Sequence, residues 1–193
     1  MSNKIPTIYL FRHGETTFNR DVKFTGFYDS KLTKKGLKHA KTIAKRMKNK
    51  KFQVAIQTRL SRSKETLKPV LIGHLECVLI IQDDRIIERN YGALSQKSHA
   101  EIIKKYGIKK FNKWHRGFNV RPPNGESFAD VEVRVRDFIK DLKKFMKKNS
   151  VSVAISAHGN SIRLFRKIME KASIKETVSW FIPYDKIYEY KIK

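Results

Sequence analysis

The most restrictive feature of this 193-residue chain is its alternation of short apolar runs with longer stretches of helical periodicity. Runs that read as buried strands lie at Thr7 to Phe11, Gln53 to Gln57, Cys77 to Gln82, Val151 to Ala157 and Ile187 to Ile192. Continuous apolar runs of this length suit strands covered on both faces. Between them, apolar residues recur at helical spacing over Lys34 to Lys48, Ser61 to Leu71, Ser127 to Lys148 and Ser161 to Glu170. Strand and helix in turn predict an α/β fold, a three-layer α/β/α sandwich with a mainly parallel central sheet. No repeat, low-complexity tract or linker divides the chain, and its 5 prolines are scattered, so residues 1–193 read as one domain. In such sheets ligands bind beyond the C-terminal strand ends.

Composition narrows the setting. Apolar residues make up 40% of the chain and aromatic residues 11%, enough for a sizeable core. Cys77 is the single cysteine, which gives no internal disulfide and points to a reducing compartment. The longest apolar stretch, PVLIGHLECVLII, is broken by Gly73, His74 and Glu76, and the N-terminal run is too short for a secretory signal. A cytoplasmic protein that makes no membrane contact is expected, as a monomer or small homo-oligomer.

The 43 Lys+Arg exceed the 18 Asp+Glu by a formal charge of +25, which favours anionic partners of any kind. The basic runs at 45 to 51, 103 to 113 and 141 to 148 fall on segments with helical apolar spacing, where they read as solvated faces. Aromatics are not regularly interleaved with them, so a small anionic substrate is expected rather than nucleic acid. No His, Asp, Glu or Cys cluster has metal-ligand spacing, and chemistry without metal is expected. His39 and His74 fall in helical patterns outside the motifs and read as surface or packing residues.

Two expected strands end in the same chemistry. The first breaks into Arg12-His13-Gly14-Glu15-Thr16, and the strand at 151 to 157 breaks into His158-Gly159-Asn160-Ser161 and a helix. A His-Gly pair at the carboxyl end of each of two buried strands would bring the two imidazoles over one crevice, with glycines allowing close backbone approach and a helix N-terminus offering free N–H groups to an anion. Histidine suits nucleophilic and acid–base work near neutral pH. The residues alone therefore suggest an anion site with His13 as nucleophile and His158, Arg12 and Arg62 as stabilisers.

Further segments complete a pattern: Asn19 with Lys23-Phe24-Thr25-Gly26-Phe27-Tyr28-Asp29, Thr58-Arg59-Leu60-Ser61-Arg62, and Glu88-Arg89-Asn90-Tyr91-Gly92-Ala93-Leu94. Trp114-His115-Arg116-Gly117-Phe118, Pro122-Pro123-Asn124-Gly125-Glu126-Ser127 and Ala157 to Arg163 follow. This ordered set covers nearly the whole chain and resembles the histidine phosphatase superfamily. Within it the chain most resembles the 2,3-bisphosphoglycerate-dependent phosphoglycerate mutases in their compact form.

The resemblance implies interconversion of 3-phosphoglycerate and 2-phosphoglycerate in glycolysis and gluconeogenesis. The phosphoryl group would be carried on His13 after priming by 2,3-bisphosphoglycerate. It also implies Arg12, Arg62, Asn19 and His158 around the phosphoryl group and Glu88 as general acid and base. Thr25, Gly26, Tyr91, His99, His115, Arg116, Gly159 and Asn160 are the implied substrate-binding positions. The chain departs from the mutase pattern at Asn90, at His99 where a lysine is usual, and at His115-Arg116 where two arginines are usual. It also stops at Lys193, just after the last expected strand, so the resemblance implies little or no mobile C-terminal tail. A histidine phosphatase hydrolysing small phosphomonoesters is the second reading, and a basic binding protein on an inert fold is the third.

Overall fold

The computed structural model describes residues 5–192. Five strands, β1 (Thr7–Arg12), β2 (Val54–Gln57), β3 (Leu79–Gln82), β4 (Val153–Ala157) and β5 (Ile187–Lys191), form one sheet in the order β3-β2-β4-β1-β5. The first four pair in parallel, and β5 closes one edge antiparallel to β1. Among the described residues seven α-helices connect them: α1 (Thr17–Arg20), α2 (Lys34–Met47), α3 (Ser61–Leu71), α4 (His99–Arg116), α5 (Phe128–Asn149), α6 (Gly159–Glu170) and α7 (Ile174–Ser179).

The period-2 alternation of the strands separates two cores. Leu10, Val54, Ile56, Val153 and Ile155 face one side, where they meet Val131, Val135, Phe138 and Leu142 of α5 and Ile162 and Phe165 of α6. Their neighbours Phe11, Ala55 and Ala154 face the other side, against Ile43 and Met47 of α2 and Leu67 and Val70 of α3. Burying each large apolar side chain contributes about 1.5–3 kcal/mol, so the sheet is held from both faces. The result is the three-layer α/β/α sandwich that the alternation predicts. A third cluster, Phe24, Tyr91, Leu94, Ile102, Phe111 and Trp114, packs the cavity-bearing loops against α4.

Helix starts follow local chemistry. Ser98, Ser127 and Ser173 each cap the backbone N–H three residues on, and Glu101, Asp130 and Glu176 bond back to close a capping box. Expected and observed strands agree to within two residues, with one correction. The run Cys77 to Gln82 reads as a buried strand, yet only Leu79–Gln82 is strand, and Leu79 and Ile80 are 43% and 50% exposed. As an edge strand, β3 has a single neighbour and extends past the cover of the helices. Cys77 precedes it, half-buried.

Near the end of β1 the backbone is pressed against α2. Thr33 donates through its N–H to Glu15 O (3.0 Å) and through its hydroxyl to Glu15 Oε1 (2.9 Å), while its side chain also caps Gly36 N–H. A methyl group at Gly36 would fall well inside contact with the Glu15 carbonyl, and one at Gly14 inside contact with Gly36. In an open helix Gly→Ala stabilises by nearly 1 kcal/mol. Here Gly36→Ala should destabilise by about 1–3 kcal/mol through overpacking, a Tm fall of several degrees by thermal unfolding. A rise in Tm would mean that this contact is loose.

Candidate active site

Three parallel strand ends build the centre. His13 follows β1 and donates its N–H to Ala157 O (3.0 Å) at the end of β4, which sets His158, the next residue of that chain segment, beside it. The two imidazole centroids are 5.0 Å apart. Thr58 follows β2, and its hydroxyl lies 2.8 Å from His158 Nε2. Gly14 N–H donates to Thr66 Oγ1 of α3 at 2.9 Å, which steadies the turn after His13.

His13 is 2% exposed, and its Nδ1 lies 2.7 Å from Gly14 O. A carbonyl only accepts, so Nδ1 carries the proton. Burial, and then the nearby Arg62 and Arg12 guanidinium groups, hold the His13 pKa well below the usual histidine value. The ring is therefore neutral near pH 7, with an unprotonated Nε2. Burial, then Arg62 and His13, push His158 down in the same way.

The surrounding cations are deliberately underused. Arg62 donates to Tyr28 O (2.8 Å) and Gly26 O (2.9 Å), and Arg12 donates to Ile182 O (2.9 Å) while lying 4.2 Å over the Tyr184 ring. Arg12 Nε, Arg62 Nε and His158 Nδ1 are buried without a partner. Buried polar atoms are rarely left unsatisfied, and three around one imidazole suit an anion with several oxygens. Arg89 also keeps orphan nitrogens, but Tyr91 and Phe128 each lie 4.4 Å from its guanidinium and give it a π partner. Burial lowers Arg62 to about 10, which leaves it charged.

Glu88 is 8% exposed, and its Oε1 accepts from Arg89 N–H (2.8 Å) and from Asn160 N–H at the start of α6 (3.0 Å). Its Oε2 and the Arg12 guanidinium both flank Gly159, where a Cβ would stand 3.5–3.6 Å from each. A located carboxylate thus sits beside a guanidinium over a bare backbone position. Asn160 Nδ2 donates to Tyr91 OH at 3.1 Å.

A cavity of about 270 Å³ opens above this centre, lined by Asn19, Thr25, Glu88, Tyr91, His99, His115, Arg116, Gly159 and Asn160 among others. His13, Arg62 and His158 lie beneath its floor, and Gly26 turns its carbonyl to Arg62. Asn19 Oδ1 is tied to Thr16 N–H at 3.1 Å. His99 and His115 come together, 4.9 Å between ring centroids, although 16 positions apart. A straight helix would separate them by about 24 Å. Gly107, at φ 78° and ψ 156°, breaks α4 and folds it back. Burial and then Arg116 lower His115 to about 3, so it is neutral.

The sequence alone gives several lining residues no role in the site. Arg163 donates to Asn160 Oδ1 and Trp180 O, both at 2.9 Å, and burial lowers it to about 10. Its place three residues after Asn160 on a helix was the available signal. Tyr184 stacks between Arg12 and His39, its ring 4.8 Å from and nearly parallel to the imidazole. His39 Nδ1 also accepts from Glu15 N–H at 3.3 Å, so it backs the site. His74 packs on Phe52 instead, 4.5 Å between centroids. Nothing in the sequence joins residue 184 to residue 12.

A buried neutral imidazole with a free nitrogen, ringed by unpartnered guanidinium N–H groups and a held carboxylate, suits attack on phosphorus. The family model for histidine phosphatase superfamily (branch 1) matches residues 8–193. The chain belongs to the histidine phosphatase superfamily. It is 33% identical over 177 residues, 89% of this chain and 85% of the relative, to a 2,3-bisphosphoglycerate-dependent phosphoglycerate mutase of Mesorhizobium japonicum. It is 35% identical over 162 residues to a phosphoglycerate mutase of Schizosaccharomyces pombe, covering 81% of this chain and 75% of that one. Among solved structures, Bacillus stearothermophilus YhfR superposes with a TM-score of 0.83 at 26% identity, covering 95% and 90% of the two chains. No helix among the described residues is long and apolar enough to cross a membrane.

His13 and His158 stay neutral in the fold where their unfolded counterparts, near pKa 6.5, take up protons. The unfolded chain then binds more protons, so stability falls as pH drops below about 6.5, by up to about 1.4 kcal/mol per pH unit for each such histidine. Urea midpoints at pH 7 and pH 5 measure this, and His158→Gln should remove one histidine's share of the slope. An unchanged midpoint in the parent protein would mean that both rings protonate within the fold.

Proposed function

We propose that this chain is a 2,3-bisphosphoglycerate-dependent phosphoglycerate mutase that interconverts 3-phosphoglycerate and 2-phosphoglycerate through a phosphohistidine on His13. The observation that carries the reading is the His13 setting: proton held on Nδ1 by Gly14 O, Nε2 free, and unpartnered nitrogens of Arg12, Arg62 and His158 around it. The sequence likeness to mutases over about nine-tenths of the chain supports the choice of substrate. The whole of residues 1–193 is taken as the catalytic domain, working in the cytoplasm on small phosphorylated molecules.

In the proposed cycle His13 Nε2 holds a phosphoryl group first supplied by 2,3-bisphosphoglycerate. Arg12 and Arg62 neutralise its equatorial oxygens, the neutral His158 ring offers a hydrogen bond, and Asn19 lies at its cavity side. In-line transfer to a substrate hydroxyl chiefly needs this positioning and positive charge. Glu88 takes the hydroxyl proton as the oxygen bonds phosphorus, and in the return transfer gives it back to the other oxygen as His13 recovers the phosphoryl group. Tyr91, Arg116, Asn160 and the backbone at Gly159 hold the remaining anionic end, with Thr25 on the cavity wall and Gly26 behind it, its carbonyl holding Arg62. His99 and His115 are neutral there and contribute N–H donors rather than charge, which leaves Arg116 as the bidentate partner for a carboxylate or phosphate.

Phosphorus NMR with 3-phosphoglycerate and catalytic 2,3-bisphosphoglycerate should show 2-phosphoglycerate forming with little free phosphate. Free phosphate without isomerisation would assign the chain to the phosphatases of the superfamily. His13→Ala should abolish turnover with the fold retained by circular dichroism. Glu88→Gln should slow turnover by about 10²–10⁴-fold while KM changes little; weaker binding at an unchanged rate would remove Glu88 from the acid–base role.

A further inference from the structure

With a phosphoryl group on His13, 3-phosphoglycerate brings two further anionic groups, its carboxylate and its phosphate, to the upper cavity. The wall there offers little charge to meet them. Burial keeps His99 and His115 neutral, and Arg163 already gives Nε to Trp180 O and Nη1 to Asn160 Oδ1. Arg116 can engage one group through its planar fork. A second cation is needed, and Lys23 lines the same cavity.

The backbone delivers Lys23 to that wall. Just past α1 the chain reverses at Val22, whose φ of 51° is left-handed and strained for a β-branched residue. The reversal returns Lys23 N–H to Phe18 O at 2.8 Å, and an isolated antiparallel bridge sets Lys23 opposite Ser98. Val22 O accepts from His99 N–H at 3.0 Å, so Lys23 stands beside the histidine wall. A strained turn held at a cavity wall points to a use for the residue it presents. The Lys23 ammonium lies 5.6 Å from the centre of the Phe18 ring, which is stacked on Tyr28 and also lines the cavity. That contact orients the charge and leaves its N–H donors for an anion. Among the described residues Lys23 has no ion-pair partner. Asp21 and Glu101 are engaged elsewhere: hydrogen bonds from Arg20 and from Ser98 are the first cause of their carboxyls lying below the usual range, and Lys23 is a lesser one.

We propose that Lys23 is a substrate-binding residue, whose ammonium holds one of the two anionic groups in the upper cavity while Arg116 holds the other. The identity of the ligand rests on the mutase reading above; the seat itself suits a small molecule that carries two anionic groups beyond the one at His13. Lysine acts here as a point charge that can follow a carboxylate or a phosphate. The same pair, the carboxylate and one phosphate, occupies the upper cavity when 3-phosphoglycerate, 2-phosphoglycerate or the bisphosphate is bound. The seat therefore serves both transfers alike, and acts on binding rather than on rate.

Steady-state isomerisation kinetics of Lys23→Met test this. KM for 3-phosphoglycerate should rise about tenfold, as expected for the loss of one charge-assisted contact, with kcat within about twofold of the parent. Tm should hold, and so should the inhibition constant of inorganic phosphate, whose place is the floor beside Arg12 and Arg62. Lys23→Arg should keep most of the affinity, because the charge is retained. An unchanged KM in Lys23→Met, an equal rise in Lys23→Arg, or equal weakening of inorganic phosphate overturns the seat. The mutase reading is judged separately. If His13→Ala abolishes turnover while Lys23→Met leaves KM unchanged, the phosphohistidine stands and the seat fails. If the parent protein forms no 2-phosphoglycerate, yet titration calorimetry shows 3-phosphoglycerate bound about tenfold more weakly by Lys23→Met, the seat stands and the mutase reading falls.

Discussion

Everything at the centre depends on the parallel pairing of β1 with β4. Their register sets Arg12 opposite Ala157, so the residues that follow each strand, His13 and His158, emerge side by side at the same sheet edge. Parallel strands must both reach that edge in the same sense, which needs a crossover and buries both faces. The cost of burying two imidazoles and several guanidinium groups is thereby met by a frame with large apolar cores on either side.

That burial creates the chemistry. Away from water, an imidazole beside two guanidinium groups stays neutral, and a carbonyl on Nδ1 decides which nitrogen is free. The guanidinium groups are fixed from behind by backbone carbonyls of Tyr28, Gly26 and Ile182, so their unspent nitrogens need no reorganisation when an anion arrives. Arg134 performs the matching task for Glu88. It donates to the carbonyls of Arg85, Ile87 and Glu88 and pairs with Glu126, which in turn accepts from Asn90 N–H. The loop that carries the carboxylate is thus braced by a residue of α5.

The upper cavity is built on different terms. Arg12 and Arg62 bring charge to the deep end, while the wall formed by Phe24, His99 and His115 is aromatic and uncharged. Lys23, Arg116 and Arg163 bring charge to the cavity beside it. One cavity therefore combines a floor rich in cations with an upper wall that is partly aromatic.

By itself the sequence determined the alternation of strand and helix and the two His-Gly strand ends, because these depend on local periodicity and on short motifs. The motif order was legible for the same reason, since each motif is a short segment with its own turn chemistry. Only the tertiary structure decided that β3 is an exposed edge, because burial depends on which strands and helices become neighbours. It alone decided that Gly107 folds α4 back so that His99 meets His115, and that Tyr184 and Arg163 join the cavity. Those contacts join residues far apart along the chain, and local pattern carries no record of them. They exist because the sheet and its covering helices bring distant loops to one end of the molecule.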